Sequence, residues 1–225
     1  TPLTSIVNYV DLLSRENLEG QAAEYTEVLV RQSARLKKLT EDLVEASKAS
    51  TGNINVSLQR LNICETVNQA VGEYAERLQA ASLSAVTDFP DHPVTAEADG
   101  RLLWRVLDNL LSNVCKYSMP GTRVYITVTE LRTGAFAADS SADVGRHAAL
   151  SGRVSITVKN ISKERLNVAA DELMERFVRG DSSRSTDGSG LGLNIARSLT
   201  ELQGGSFGLS IDGDLFKAEI VLKSE

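Results

Sequence analysis

The apolar pattern of the first fifty residues constrains this chain more than any other feature. Leu3, Ile6, Val10 and Leu13 recur at alternating spacings of three and four. After a break around Asn17 to Gly20, the alternation resumes with Tyr25, Leu29, Gln32, Leu36, Leu39, Leu43 and Ala46. No proline interrupts the run, and Thr51-Gly52 closes it. The pattern predicts an antiparallel helical hairpin with a narrow apolar seam. Two helices cannot cover such a seam alone, so a second copy of the chain is expected to complete a four-helix bundle. The alternative is a hairpin that packs on the remainder of its own chain.

From about residue 54 the pattern becomes mixed α and β. Ile54 to Leu61 reads as a strand, Cys64 to Ala81 as an amphipathic helix, and Leu83 to Phe89 as a second strand ended by Pro90 and Pro93. Asp99 has the chemistry of an N-cap for a helix through Tyr117, which Met119-Pro120-Gly121 stops. Three later segments alternate with period two: Val124, Ile126 and Val128; Val154, Ile156 and Val158; and Phe216, Ala218, Ile220 and Leu222. Asp212-Gly213 is a hairpin turn leading into the last of them. Arg132 to Gly152, rich in Ala, Ser, Gly and Asp, reads as a mobile hairpin tip.

Composition excludes several classes. Acidic and basic residues number 30 and 24, a net charge of −6, which argues against a general nucleic-acid binder. Cys64 and Cys115 cannot form a disulfide framework, and with only His92 and His147 to join them they offer no zinc site. No segment approaches the run of roughly 18 apolar residues needed to span a bilayer, so no direct membrane contact is expected of this stretch.

Three segments carry polar residues that packing alone does not explain. On the helix from Leu102 to Tyr117, Leu103, Val106, Leu107, Leu110 and Val114 form the buried stripe. Asn109, Asn113 and Lys116 share a different face, at i, i+4 and i+7. Asparagine is a mediocre helix former, and an amide oxygen suits Mg²⁺ as a lysine suits phosphate. A solvated polar face accounts for the same residues. The second segment, Gly188-Ser189-Gly190-Leu191-Gly192-Leu193, precedes a helix from Asn194 to Gln203. It is either an anion cradle at a helix N-terminus or a tight loop, and with no lysine after the glycines it is not a P-loop. The third is Asn160, whose amide alternation turns inward at the end of its strand, where a ligand or the neighbouring backbone must satisfy it. Between Asn160 and Gly188, a charged stretch with Arg176, Phe177, Arg179 and Arg184 is either a lid over a pocket or an ordinary surface helix and loop.

The order of these motifs is specific. Thr1-Pro2-Leu3-Thr4-Ser5-Ile6, Asn109 to Tyr117, Glu175-Arg176-Phe177-Val178-Arg179-Gly180-Asp181 and Gly188 to Leu193 follow one another as do the end of the H box, the N box, the F box and the G2 box. Over nearly its whole length the chain resembles the catalytic core of a bacterial two-component sensor histidine kinase. The resemblance implies an α+β chain. Residues 1–53 would be a dimerisation and histidine-phosphotransfer hairpin, half of a dimeric four-helix bundle. Residues 54–225 would be an α/β sandwich ATP-binding domain of the gyrase, chaperone and histidine-kinase type. By that likeness Asn113 would ligate Mg²⁺, and Asn109, Lys116 and Tyr117 would line ATP. Phe177 and Arg179 would belong to the lid, and Gly188, Gly190, Leu191, Gly192 and Leu193 would surround the triphosphate. The implied partners are a second copy of the chain and the receiver domain of a response regulator, in the cytoplasmic portion of an inner-membrane sensor.

Two departures from the resembling pattern stand out. The family's acceptor histidine lies four residues before the position of Thr1, ahead of this sequence, so the stretch given is not expected to phosphorylate itself. His92 and His147 are in no position to replace the acceptor. Thr1 matches a position that helps orient water for dephosphorylating the response regulator. The adenine-binding box, usually Asp-x-Gly-x-Gly, is here Val158-Lys159-Asn160-Ile161-Ser162-Lys163. Asn160 would accept the adenine hydrogen bond without charge, at a loss of about 1 kcal/mol, or about tenfold in affinity. A dimeric scaffold or response-regulator phosphatase with weak nucleotide binding is therefore the alternative. An ATP-driven clamp of the gyrase type ranks third, because the heptad hairpin argues against it.

Overall fold

The structure is a computed structural model that describes residues 2–15, 19–52, 54–131, 152–166, Leu173 and 190–224. Helices α1 (Pro2–Arg15) and α2 (Gln21–Ser50) form the expected hairpin. Gly20, at φ +60°, leads into α2; Gly52, at φ +68°, takes the left-handed conformation that ends it. The apolar stripe divides differently from the sequence expectation. The hairpin buries Val10, Thr26 and Ser33, and Leu3 and Val7 are half-buried. Ile6, Leu13, Tyr25, Leu29, Leu36 and Leu43 stay exposed along a second stripe, with Tyr9 and Leu12 beside it. The reason is geometric: a helix turning 100° per residue presents its i, i+4, i+7 and i, i+3, i+7 rows to different neighbours.

Beyond the hairpin follow β1 (Gln59–Asn62), α3 (Ile63–Glu73), α4 (Ala75–Ala80), β2 (Ser84–Asp88), β3 (Thr95–Ala98), α5 (Gly100–Tyr117), β4 (Arg123–Leu131) and β5 (Arg153–Ile161). Then come α6 (Gly192–Leu202), β6 (Ser206–Asp212) and β7 (Leu215–Lys223). Five strands form one sheet in the order β2-β4-β5-β7-β6, with β2 parallel to β4 and the other pairs antiparallel; β1 and β3 form a separate antiparallel pair.

The period-two segments fall where expected. Ile126 lies opposite Val158 and Val128 opposite Ile156. Ile156 in turn faces Ile220, and Val158 faces Ala218. These side chains share one fully buried face, joined in a single core with Leu103, Val106, Leu107, Leu110 and Val114 of α5 and Ile195 and Leu199 of α6. The opposite face is polar: Ser155 Oγ donates to Glu219 Oε1 at 2.8 Å, and Lys217 Nζ donates to the other oxygen at 3.2 Å. One face is oily and the other polar, and at the central strand β5 the polar face is buried as well, at Ser155 and Thr157.

Three local expectations are corrected. The strand from Ile54 shrinks to β1, because Ser57 N–H is turned toward the Asp99 carboxylate at 2.9 Å rather than a neighbouring strand. The helix from Cys64 to Ala81 breaks at Tyr74, whose buried hydroxyl donates to the Asp108 carboxylate on α5. The helix expected from Asn194 starts two residues earlier, at Gly192.

The hairpin and the α/β body meet at the end of α2, which packs on α6 and buries Asp42, Ala46 and Ala49. Arg105 of α5 ties them together. Its Nε donates to Glu45 at 2.9 Å, its Nη2 to Asp42 at 2.9 Å and its Nη1 to Asp108 at 3.0 Å. Burial works against the charge of this guanidinium, but the three carboxylates outweigh it and raise its pKa above the ordinary arginine range. Further along, a cleft of about 730 Å³ separates Leu3 and Val7 of α1 from Leu102 and Arg105.

Asp99 caps α5 as expected, accepting from Arg101 N–H at 3.0 Å and Leu102 N–H at 3.4 Å. Its own N–H donates to Gln203 Oε1 at 2.9 Å, so the cap also joins α5 to the end of α6. Burial works to raise the Asp99 carboxyl. Hydrogen bonds from Ser57 N–H, the Arg101 side chain and the backbone of Leu102 and Arg101 outweigh it and hold the carboxyl below its usual range.

Two predictions follow from this packing. Gly205 passes so close to β7 that a Cβ would stand 2.5 Å from the Val221 carbonyl oxygen and 3.0 Å from Thr200 Cγ2. Gly205→Ala is expected to destabilise the fold by about 1–3 kcal/mol, read as a lower urea midpoint. Asp99→Asn weakens a carboxylate titrating below its unfolded value of about 3.9, so the stability at stake is present above that pH and lost as pH falls through the folded value. Urea titrations of wild type and variant should differ most near neutrality and converge on acidification below about pH 4; a gap that stays constant through that range contradicts the assignment.

Candidate functional site

The site begins with the face of α5 next to its oily stripe. Asn109 is buried at 7% exposure, Asn113 and Tyr117 are half-buried, and Lys116 is exposed, so the face runs from interior to surface in two turns. Asn109 Nδ2 donates to the Arg105 carbonyl at 3.0 Å, which fixes the amide. Its Oδ1 then stands against the first residue of α6: a Cβ on Gly192 would lie 3.2 Å from Asn109 Oδ1 and 3.8 Å from Asn113 Nδ2. A Cβ at 192 would therefore crowd the Asn109 amide, which would have to give by a few tenths of an ångström; no left-handed backbone angle calls for glycine there. Gly190, at φ +72°, takes a left-handed conformation just before it.

The N-terminus of α6 is the second component. Leu191 occupies the N-cap position, is fully buried, and supplies no side-chain cap. First-turn N–H groups of a helix lack intrahelical acceptors and carry the positive end of its dipole. Two carboxamides beside such a terminus make a neutral, hydrogen-bonding surface suited to an anion and its counter-cation.

The third component arrives from the sheet. The end of β5 is sewn to the end of α5 by a bridge between Ser118 and Ser162, by Met119 N–H donating to Ile161 O at 2.8 Å, and by Lys163 N–H donating to Tyr117 O at 2.9 Å. Asn160, opposite Phe216 and 5% exposed, is thereby held at the same end of the sheet as Lys116 and Tyr117. The structure thus brings together Asn109, Asn113, Gly190, Leu191, Gly192 and Leu193 at the α5–α6 junction, with Lys116, Tyr117 and Asn160 at its margin. Thr1, Phe177, Arg179 and Gly188 lie outside the described residues.

Sequence reasoning missed the layer beneath this site. Arg105 anchors Asn109 through its carbonyl and the hairpin through its guanidinium, while Asp108 accepts from both Arg105 and Tyr74. Burial is the first cause that pushes the Tyr74 phenol well above its ordinary range, and the adjoining Asp108 is the next. The available signal was the pair Asp42 and Glu45 on one face of α2, opposite in charge to Arg105, but nothing in the sequence says that those helices meet.

Residues 98–223 match the family described as histidine kinase-, DNA gyrase B- and HSP90-like ATPase, and residues 1–52 match the His Kinase A (phospho-acceptor) domain. Sensor protein VanS of Enterococcus faecium is 30% identical over 212 residues, covering 91% of this chain and 49% of the relative. Sensor histidine kinase MtrB of Mycobacterium tuberculosis is 28% identical over 204 residues, covering 89% and 32%. The chain therefore spans about half or less of the length of these relatives. Among solved structures, full-length ShkA in complex with AMPPNP superposes with a TM-score of 0.74 at 23% identity, over 100% of this chain and 44% of that one. Histidine kinase AdeS of Acinetobacter baumannii superposes at 0.63 with 16% identity, over 99% and 95%. The fold is theirs. With its ATPase match spanning more than half of the sequence and a phospho-acceptor match before it, the chain belongs to the histidine kinase-, gyrase B- and HSP90-like ATPase family, in its two-component histidine kinase branch.

Proposed function

We propose that this chain is the ATP-dependent protein-histidine kinase core of a two-component sensor, passing phosphoryl from ATP to a histidine and then to an aspartate of a response regulator. The observation that carries the reading is the convergence of Asn109 and Asn113 on the glycine-started N-terminus of α6. In this reading residues 1–53 form the dimerisation hairpin and 54–225 the ATP-binding domain. Asn113 holds Mg²⁺ through its amide oxygen, and the ion supplies neutralisation of the phosphate charge. Asn109, Lys116 and Tyr117 line the nucleotide, Lys116 nearest the phosphates. Gly188, Gly190, Leu191, Gly192 and Leu193 surround the triphosphate, Phe177 and Arg179 belong to a lid, and Asn160 faces the base. Thr1 belongs to the hairpin end at which the response regulator is dephosphorylated. A solved relative, ThkA in complex with the response regulator TrrA, superposes on the whole of this chain with a TM-score of 0.64, which supports a receiver-domain partner. In this reading the chain lies on the cytoplasmic side of a membrane sensor, in line with the resemblance; its relatives are named as sensors, and no helix among the described residues is long and apolar enough to cross a bilayer.

A specific observation favours a second reading, in which the chain is a scaffold or phosphatase with weak nucleotide affinity. Residues 158–163 carry no glycine, and Asn160 offers an uncharged amide where the base would bind.

Calorimetric titration with Mg²⁺ and ATP separates the two. The kinase reading expects binding at micromolar to submillimolar concentration, lost in Asn113→Ala. Gly192→Ala, whose methyl would press on the fixed Asn109 amide, is expected to weaken binding by about tenfold with little effect on stability. A folded wild-type chain that binds no ATP at millimolar concentration contradicts the kinase reading and leaves the scaffold.

The exposed stripe of Ile6, Leu13, Tyr25, Leu29, Leu36 and Leu43 supports a homodimer through the hairpin. Sedimentation of the wild type should show a dimer, and Leu29→Lys with Leu36→Lys should give a monomer whose α/β body keeps its unfolding transition. A wild-type monomer at high concentration contradicts the four-helix bundle.

A further inference from the structure

One residue in the exposed row of the hairpin does not match its neighbours. Tyr25, Leu29, Leu36 and Leu43 stand exposed along α2 with Leu39 half-buried among them, and Gln32 takes the row's remaining position. At 100° per residue Gln32 falls inside the row, between the lines of Leu39 and Leu36, and not at its border. In the single chain Gln32 is exposed, so water satisfies its carboxamide. A second hairpin laid on the row removes that water, and a buried carboxamide without partners is costly. The rest of the exposed stripe offers no help. Ile6, Leu13, Leu29, Leu36 and Leu43 are aliphatic, and Tyr25 lies two turns away, about 10 Å along the helix.

We propose that Gln32 pairs with Gln32 of a second copy, and that this pair fixes how the two hairpins align. The inference rests on the homodimer proposed above and deepens it. A carboxamide is self-complementary: across a two-fold axis each one donates an N–H to the other's oxygen. With that axis along the bundle, every residue of the row meets its own counterpart, so the amides meet and the leucines meet leucines. The competing arrangement turns the second α2 end for end. Its best apolar register sets Tyr25 against Leu43 and Leu29 against Leu39, and the same register sets Gln32 against Leu36. Both amides are then buried against leucine. Sliding the end-for-end pair until the amides meet sets Leu29 against Arg35 instead. The apolar residues therefore tolerate either alignment, and the amide tolerates one. A lone polar residue on an apolar seam specifies register in this way, at a cost in stability.

Gln21, the first residue of α2, lies on the same row four positions before Tyr25 and marks one end of the seam. With the copies aligned, two Gln21→Cys thiols stand at the same end of the bundle. End for end, each faces the level of Ser47, and the thiols are roughly 39 Å apart along the axis. The test is sedimentation and cross-linking of the whole chain with a bis-maleimide too short to bridge that distance. The wild type supplies the background from Cys64 and Cys115, and circular dichroism shows that each variant is folded. Gln21→Cys is expected to be a dimer that cross-links far above the background. Adding Gln32→Leu is expected to tighten the dimer by about tenfold or more, while the cross-linked fraction falls as end-for-end dimers appear. A doubly substituted dimer that cross-links as fully as its parent overturns the inference, because the alignment is then set elsewhere; so does one that weakens. A Gln21→Cys dimer that does not cross-link overturns it as well. These outcomes leave the homodimer standing, whereas a wild type that stays monomeric at high concentration removes the homodimer and the inference together.

Discussion

Helix α5 has to be dry on one face and polar on the next, and the rest of the molecule is arranged around that requirement. Leu103, Val106, Leu107, Leu110 and Val114 commit one side to the core, where each is 2% exposed or less. Arg105, Asp108 and Asn109 lie close by with polar groups that must be paired. They are paired with one another and with two other elements: the guanidinium with α2, the carboxylate with Tyr74, and the Asn109 amide with the Arg105 carbonyl. A partly buried charge network of this kind adds little net stability over an apolar equivalent, but it accepts only one arrangement of its members. Its effect here is to fix where Asn109 stands, and through Asn109 how near α6 approaches.

The join between hairpin and body follows from the same chemistry. Apart from the ion pairs, the end of α2 contributes Ala46 and Ala49, which bury little apolar surface. The linker is held instead on the body side, by Ser57 N–H on Asp99 and by Arg101 donating to the Asn55 carbonyl at 3.3 Å. Gly52, with open space around it and a left-handed backbone, lies between these two attachments. Small apolar contacts, screened charges and a glycine between them describe a join that holds one orientation without the permanence of a core.

Much of this was legible in the sequence, for physical reasons that vary by element. Strands β4, β5 and β7 were readable because each carries its apolar residues on a single face and so shows period two. Asp99 was readable as a cap because a short carboxylate before an apolar helix has one good use. The shared face of Asn109 and Asn113 was readable from an unusual residue type at helical spacing. The failures are equally physical. The break at Tyr74 is set by a hydrogen bond to a residue 34 positions away, which outweighs the local preference for a continuous helix. The division of the hairpin stripe depended on which neighbour each row meets, and one row stays about half exposed among the described residues.

The central claim is that the amides of α5 and the start of α6 act as one binding surface. A heteronuclear NMR titration of the isotope-labelled chain with Mg²⁺ and a non-hydrolysable ATP analogue tests it most directly. The account predicts that the side-chain amide signals of Asn109, Asn113 and Asn160 and the backbone signals of Gly190 to Leu193 shift together along one saturating curve. Shifts that spare these groups, or that fall instead on the hairpin, would contradict it.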